Sequence, residues 1–125
     1  MPILVRGYEV DSQGIVNNAE YLHYMEHTRH QFCRKAGLSF RAMQERGLDP
    51  VLAKVEIEYK SPLRLGDEMI SCINLRRRGP LFVFYQDIFR ADGVQVIKAV
   101  ANIACLKDGH LSKGEELAEA FKDYL

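Results

Sequence analysis

An aspartate stands a few residues ahead of a helix start, which places groups suited to attack on a carbonyl carbon close together. The sequence reads D-S-Q-G over residues 11–14, and an asparagine pair follows at 17 and 18. The Asp11 carboxylate can act as a base or a nucleophile. The first N–H groups of a helix, near Asn18, lack an intrahelical acceptor and favour a developing negative charge. Gly14 permits the tight turn that would bring acid and N–H groups together.

The element that must position these groups is a long amphipathic helix. An N-cap at Asn17 or Asn18 and a stop at Gly37 predict a helix from about residue 18 to residue 36. Arg29 falls within its core-facing stripe and therefore needs a buried partner. The other members of that stripe are apolar: Tyr21, Leu22, Met25, Phe32, Cys33 and Ala36.

Strand-like patterns surround this helix. We expect a leading strand over residues 2–9 and a short second helix over residues 39–46. Val55, Ile57 and Tyr59 then alternate with charged residues, which predicts a strand with one wet face. Turn signals separate three further strands at 68–78, 81–91 and 94–107. A capping box from Ser112 to Glu115 predicts a C-terminal helix, so the fold class is α+β: an antiparallel sheet wrapped around a long helix.

The last two of these strands are apolar on both faces. Phe82 and Phe84 alternate with Val83 and Tyr85, and residues 94–107 show the same pattern. One helix can cover only one face of a sheet. The second face therefore predicts contact with another copy of the chain, in a homodimer or homotetramer.

Composition narrows the functional classes. The chain has 125 residues, which suits a single domain over 1–125, and its 17 basic and 17 acidic residues give zero net charge. Neutral charge argues against a nucleic-acid partner, and no apolar run reaches membrane-spanning length. The N-terminus lacks a secretory signal pattern, so the expected location is the cytoplasm. Three scattered cysteines predict small buried side chains rather than disulfides or a metal knuckle.

The segment from Asp11 to Tyr21 resembles the D-x-x-G-x-V-x-x-x-x-Y signature of 4-hydroxybenzoyl-CoA-thioesterase-like hotdog proteins. Glu26 and Arg29 match the E-x-x-R that often follows in that family, and residues 62–67 resemble its P-x-x-x-G-D bend. The resemblance implies a hotdog fold over nearly the whole chain. It also implies hydrolysis of acyl-CoA thioesters at a subunit interface. No metal or redox cofactor is expected, because coenzyme A arrives as part of the substrate.

The resemblance also implies roles for single residues. Asp11 would be the catalytic carboxylate, acting directly or through water, and the amide at Asn18 would polarise the carbonyl. The Asn18 side chain either holds water or substrate or simply caps the helix. Many relatives carry a histidine at the position of Asn18 or Ile15, and its absence here argues against a histidine-assisted mechanism. Gly14 completes the catalytic turn, while Asn17 and Tyr21 are candidate substrate-binding residues.

Arginines supply candidates for binding the phosphates of coenzyme A. Arg64, Arg76 and Arg78 are the predicted substrate contacts, and Lys60 and Arg90 are further candidates. Two carboxylates, at Glu58 and Asp67, are candidates for a second acid in the site. Two other functions stay open: an acyl-ACP thioesterase and a non-catalytic acyl-binding protein.

Three histidines form an alternative pattern on the long helix. His23, His27 and His30 have spacings of four and three, which suits a metal site. The helical wheel places them opposite the apolar stripe, so we expect solvated surface histidines rather than metal ligands.

Overall fold

A curled antiparallel sheet forms most of the molecule. The computed structural model describes residues 1–12 and 14–125, and six strands occur within them. The sheet order is β1-β3-β4-β5-β2, with β6 paired to β5. The strand bounds are β1 Pro2–Leu4, β2 Leu48–Tyr59, β3 Glu68–Arg78, β4 Leu81–Arg90, β5 Gln95–Lys107 and β6 His110–Leu111.

The long helix α1, Asn18–Lys35, packs across one face of this sheet. Its buried contacts include the Phe32 ring, 5.8 Å from that of Phe84, and a 2.7 Å hydrogen bond between the Thr28 and Ser71 hydroxyls. Two shorter helices, α2 Phe40–Glu45 and α3 Glu115–Ala120, complete the fold. This hotdog architecture confirms the predicted α+β class, with α1 as its central helix.

Several predicted boundaries hold and others are wrong. Helix α1 and strand β3 match to within a residue. The leading strand ends at Leu4, and residues 7–9 form a 3-10 turn instead. The capping box is also wrong, because the N-cap of α3 is Gly114 in a left-handed conformation. Its N–H donates to the Ser112 hydroxyl, which therefore closes the loop before the helix.

The outer face of the sheet, away from α1, is partly apolar. Val83 is only 4% exposed there, whereas Tyr85 on the same strand is 43% exposed. Strand β2 lies at one edge of the sheet and pairs only with β5 among the described residues. The structure therefore leaves both a mixed face and a twelve-residue strand edge available.

Cysteines and helix hydropathy complete the outline. Cys33 and Cys105 are buried as predicted, but Cys72 is exposed because its strand position points to the outer face. Leu22 is also exposed, contrary to the wheel, since it lies at the margin of the stripe. Among residues 1–12 and 14–125, no helix has the length and apolar content needed to span a membrane.

Candidate active site

The loop that carries Asp11 is closed by main-chain hydrogen bonds. Val10 and Val16 form an antiparallel bridge, and the Asp11 N–H donates to the Ile15 carbonyl at 2.8 Å. The Ile15 N–H donates to Asp11 Oδ1 at 3.4 Å. Gly14 has a φ of +78°, in the left-handed region that side chains other than glycine rarely adopt. The turn thus holds an exposed carboxylate at its start.

Directly after this loop, Asn17 caps α1. Its side-chain oxygen accepts from the Ala19 N–H at 3.0 Å, and its carbonyl accepts from the Glu20 N–H. Asn17 therefore has the capping role, which leaves the Asn18 side chain free of it. Within the described part of the chain the Asn18 N–H donates to no protein acceptor. A helix-terminal donor of this kind is suited to an oxyanion.

The Tyr21 side chain connects the first turn of α1 to the bend at residues 62–67. The buried Tyr21 hydroxyl accepts from the Leu63 N–H at 3.2 Å, and the Leu63 carbonyl accepts from Val16 at 2.7 Å. Burial raises the pKa of Tyr21, so its hydroxyl stays protonated. Tyr21 was predicted as a substrate contact; the structure gives it a hydrogen bond that joins α1 to the bend.

Tyr59 is a site residue that the sequence did not single out. Its ring centroid lies 5.5 Å from that of Tyr21, and its hydroxyl donates to the Asn18 carbonyl at 3.4 Å. The alternation in β2 places Tyr59 on the inner face, which could have indicated a role beside the helix start. Tyr59 is half exposed and lies beside Asn18.

A buried carboxylate, Glu9, was also missed. Glu9 Oε1 accepts from the Arg6 N–H at 2.8 Å, and the Glu9 carbonyl accepts from the Asn17 N–H at 3.0 Å. Burial, reinforced by the nearby Glu9 carboxylate, raises the pKa of Tyr24. Because residues 2–9 were interpreted as one strand, nothing marked Glu9 as the support for the helix start.

Arg64 lies beside the Asp11 loop. It forms a β-bridge with Ile15, and its N–H donates to Asp67 Oδ2 at 2.8 Å. The Asp67 carboxylate therefore closes the bend at residues 62–67. This contact gives it no role as a second acid beside Asp11. The Arg64 side chain lines a cavity of about 380 Å³ together with Arg90. Arg90 pairs with Asp92 at 3.3 Å, whereas the Arg64 guanidinium makes no ion pair with any described residue.

Arg76 and Arg78 lie far from this loop within one chain. They occupy the end of β3 opposite to Glu68, roughly 25–35 Å along the strand. Both are exposed on the outer face, whereas Arg77 points inward and donates to Glu115 and the Lys113 carbonyl. A single chain therefore does not bring Arg76 or Arg78 next to Asp11.

Two other charged candidates lie on β2 and just beyond it. Glu58 and Lys60 pair with one another at 3.4 Å, and both side chains are largely exposed. Glu58 and Lys60 therefore lie at the β2 edge of the sheet.

The three histidines of α1 have different surroundings. His23 Nδ1 donates a hydrogen bond to Glu20 Oε2 at 3.0 Å, and this carboxylate raises the pKa of His23. His30 instead packs on Phe40, with ring centroids 3.8 Å apart, so the prediction of three solvated histidines is wrong for His30. No group of metal-ligating side chains is assembled in residues 1–12 and 14–125.

Comparison with known proteins agrees with this geometry. A sequence profile of the thioesterase-like superfamily matches residues 5–122. A crystal structure of a hypothetical protein from Aquifex aeolicus superimposes with a TM-score of 0.90 at 32% identity, covering 96% of both chains. The Escherichia coli acyl-CoA thioester hydrolase YbgC is 28% identical, over 84% of this chain and 79% of that protein.

A plant relative shares a shorter segment. The chloroplastic acyl-acyl carrier protein thioesterase ATL3 of Arabidopsis thaliana is 36% identical over 66 residues, which are 53% of this chain and 35% of that protein. The profile match covers nearly the whole chain, including the Asp11 loop, α1 and the sheet. The chain therefore belongs to the thioesterase-like superfamily and is a thioester hydrolase with a hotdog fold.

Proposed function

We propose that the protein hydrolyses acyl-CoA thioesters, with Asp11 as base or nucleophile and the Asn18 N–H as oxyanion donor. The observation that carries this proposal is the exposed Asp11 carboxylate on a closed loop that directly precedes a helix whose first N–H, at Asn18, has no acceptor among the described residues. The similarity to YbgC supports coenzyme A as the carrier. No metal or redox cofactor takes part in the proposed reaction, in which coenzyme A is the leaving group.

Two routes use the same groups. In the first, Asp11 removes a proton from water as the water oxygen bonds to the thioester carbon. The carbonyl oxygen becomes negative and accepts from the Asn18 N–H. Re-forming the carbonyl breaks the C–S bond, and the thiolate leaves with the proton from Asp11. In the second, an Asp11 oxygen attacks the carbon and expels the thiolate, and water then hydrolyses the mixed anhydride.

We propose that a second copy completes the site, in a homodimer or homotetramer. Asp11 and Asn18 are exposed in one chain, so a substrate bound there would remain largely in solvent. A second copy would exclude water and strengthen the oxyanion contact. The mixed outer face and the unpaired β2 edge support self-association. Arg76 and Arg78 would then contact a substrate only if the assembly brings them to another chain's site.

Replacement of Asp11 tests the reaction. We expect Asp11→Asn to lower kcat for acyl-CoA hydrolysis by about 10²–10⁴-fold, because the base or nucleophile is lost. Thiol release should be followed with short, long and aromatic acyl-CoA substrates. Asp123→Asn, at an exposed position in the C-terminal turn, is the matched control and should retain full activity. Equal rates for Asp11→Asn and wild type would remove Asp11 from the mechanism.

Light scattering combined with activity measured across a dilution series tests the shared site. We expect activity to fall as the assembly dissociates. A fully active monomer would contradict a site completed by a second copy, while leaving the role of Asp11 intact.

A second candidate function replaces coenzyme A with acyl carrier protein. The similarity to ATL3 favours it, and the exposed Arg76 and Arg78 offer cations to an acidic carrier. Hydrolysis of the same acyl group on the two carriers separates the candidates. Faster turnover on the carrier protein, lost in Arg78→Glu, would favour this second function.

A further inference from the structure

Glu9 carries the only buried carboxyl group among residues 1–12 and 14–125. It is 4% exposed and stands two residues before Asp11. No basic side chain in that part of the chain lies within ion-pair distance of it. Removing a carboxylate from water without an ion pair destabilises a fold, and natural sequences break such rules mainly at functional sites. The groups that Glu9 holds in place are therefore candidates for a functional role.

The Glu9 carboxylate closes the 3-10 turn that precedes the Asp11 loop. Glu9 Oε1 accepts from the Arg6 N–H at 2.8 Å, and the Glu9 N–H donates to the Arg6 carbonyl at 3.0 Å. The Arg6 guanidinium is engaged elsewhere, since its Nη1 donates to the Tyr8 hydroxyl at 2.9 Å. The Glu9 side chain therefore bonds to the backbone and holds residues 6–9 as one closed turn.

The main chain of Glu9 starts the ladder that lies under the proposed catalytic groups. The Glu9 carbonyl accepts from the Asn17 N–H at 3.0 Å, and the Asp11 N–H donates to the Ile15 carbonyl at 2.8 Å. These two bonds join the segment that carries the acid to the segment that leads into α1. The ladder therefore sets the position of Asp11 relative to the first N–H of α1, at Asn18.

Three contacts of Asn17 fix the peptide group that joins it to Asn18, whose N–H is the proposed oxyanion donor. The Asn17 N–H donates to the Glu9 carbonyl, and the Asn17 side-chain oxygen accepts from the Ala19 N–H. The Asn17 carbonyl accepts from the Glu20 N–H at 2.9 Å. Of these three contacts, the bond to Glu9 is the one that reaches outside the helix. It therefore orients the start of α1 relative to the rest of the site.

A side chain of α1 packs beside the Glu9 carboxylate. Tyr24 is 4% exposed and lies about two turns beyond Asn17. Its ring contacts that of Tyr21 edge-on, with the centroids 6.0 Å apart. Burial, together with the adjacent Glu9 carboxylate, raises the pKa of Tyr24, so its hydroxyl stays protonated. Glu9 is therefore enclosed between its own turn and α1.

From these contacts we propose that the Glu9 carboxylate positions the oxyanion donor. It closes the turn whose carbonyl holds Asn17, and Asn17 in turn directs the Asn18 N–H. Glu9 contacts neither water nor thioester in this scheme, so its loss lowers kcat and leaves KM nearly unchanged. This kinetic consequence rests on the proposed function, whereas the orientation of Asn17 can be measured without substrate.

Amide hydrogen exchange, followed by NMR, tests that orientation. Glu9→Leu removes the acceptor but keeps a similar volume, a replacement that often preserves stability at buried charges. We expect the Asn17 N–H to exchange at least about tenfold faster in Glu9→Leu than in wild type. Glu9→Gln keeps the acceptor oxygen and should restore wild-type exchange. Unchanged exchange in Glu9→Leu would overturn the proposal, and Glu9→Ala replaces this variant if it does not fold.

Steady-state kinetics of acyl-CoA hydrolysis give the second readout. Glu9→Leu should lower kcat by about tenfold or more, and Glu9→Gln should recover most of that loss. Ser71→Ala is the matched control, because it removes a buried hydrogen bond to Thr28 away from the loop. It should lower Tm and keep kcat. Equal kcat losses in Glu9→Leu and Ser71→Ala would mean a general structural effect and overturn the proposal.

The two readouts separate the possible failures. If the wild type hydrolyses no acyl-CoA, the proposed function and the kinetic role of Glu9 both fail. Faster exchange at Asn17 in Glu9→Leu would then still show that the Glu9 contact orients the start of α1. Normal exchange together with normal hydrolysis in Glu9→Leu would overturn the role of Glu9 and leave the proposed function intact.

Discussion

At its first turn α1 presents an N–H with no acceptor among the described residues, directly after the loop that carries an exposed carboxylate. About three turns later it carries a partly buried guanidinium and an imidazole. The first group is held by contacts within the loop and leaves its polar atoms open to solvent. The second is held by Gln86, a residue on the sheet, and is enclosed by aromatic side chains. One helix thus exposes polar atoms at its start and uses polar atoms in structural contacts along its length.

The largest effect is expected on kcat, from a change at the solvent-exposed start of α1. Asn18→Pro removes the N–H, and proline is tolerated at the first helical position. Asn17 already has a ψ of 140°, the extended conformation that proline requires before it. We expect kcat to fall by about 10²–10³-fold with little change in Tm. Asn18→Ala keeps the N–H and should remain near wild type; similar activity for the two variants would exclude this donor.

A change beside Arg29, in the second half of α1, should lower the free energy of unfolding. Gln86 is fully buried and bonds both Arg29 and the Met25 carbonyl. Gln86→Leu leaves the guanidinium without that partner, and we expect a loss of about 2–4 kcal/mol in the free energy of unfolding. Urea denaturation measures it, with the exposed Gln44→Leu as control. A loss below about 1 kcal/mol would show that Gln86 is not the main support of Arg29.

A smaller effect is expected in the Asp11 loop. Gly14→Ala places a side chain at a φ of +78°, which costs about 1–2 kcal/mol even though a Cβ there meets nothing within 4 Å. Gly7→Ala, also without a close neighbour and without a positive φ, should leave stability nearly unchanged. Thermal unfolding compares the two, and equal losses would mean that φ is not the cause.

The smallest effect distinguishes two histidines by pH. Burial lowers the pKa of His30, so its contribution to stability is present above pH ~6.5 and is lost as pH falls. Glu20 raises the pKa of His23, so that contribution is present below pH ~6.5 and is lost as pH rises. Between about pH 7.5 and 5.5, His30→Gln should reduce the loss of stability on acidification and His23→Gln should increase it.

Urea denaturation at a series of pH values provides the measurement. Carboxylates such as Asp92 and Glu116, whose pKa values are lowered by their hydrogen bonds to Val94 and Lys107, lose their contributions only at more acidic pH. The same slope in both histidine variants would contradict the difference in their surroundings.

The sequence predicted the structure at the start of α1 better than the contacts along the helix. The reason is the separation in sequence between the residues that are in contact. The Asp11 turn, the Asn17 cap and the start of α1 rest on contacts between near neighbours, whose turn and capping preferences are local. Tyr59 contacts Asn18 from 41 residues away, and Arg29 finds Gln86 across 57 residues. No local pattern encodes such pairs.

The helical wheel failed at His30 for a related reason. A wheel gives the direction of each side chain but not what lies beside the helix. Here α2 brings Phe40 onto the imidazole, so a residue opposite the apolar stripe becomes partly enclosed. At residues 112–115, the pattern of a capping box was overridden because Gly114 adopts the left-handed conformation. Both cases depend on tertiary contacts or backbone geometry that spacing alone cannot supply.

The backbone bonds that hold the loop have a consequence for how this enzyme can change. Val16 is tied to Leu63, and Asn17 to Glu9, through N–H and carbonyl groups that every residue except proline possesses. Because these bonds do not depend on side-chain identity, the path of the loop does not rest on its exposed side chains. Substitutions at exposed loop residues such as Ser12 can therefore accumulate without moving Asp11.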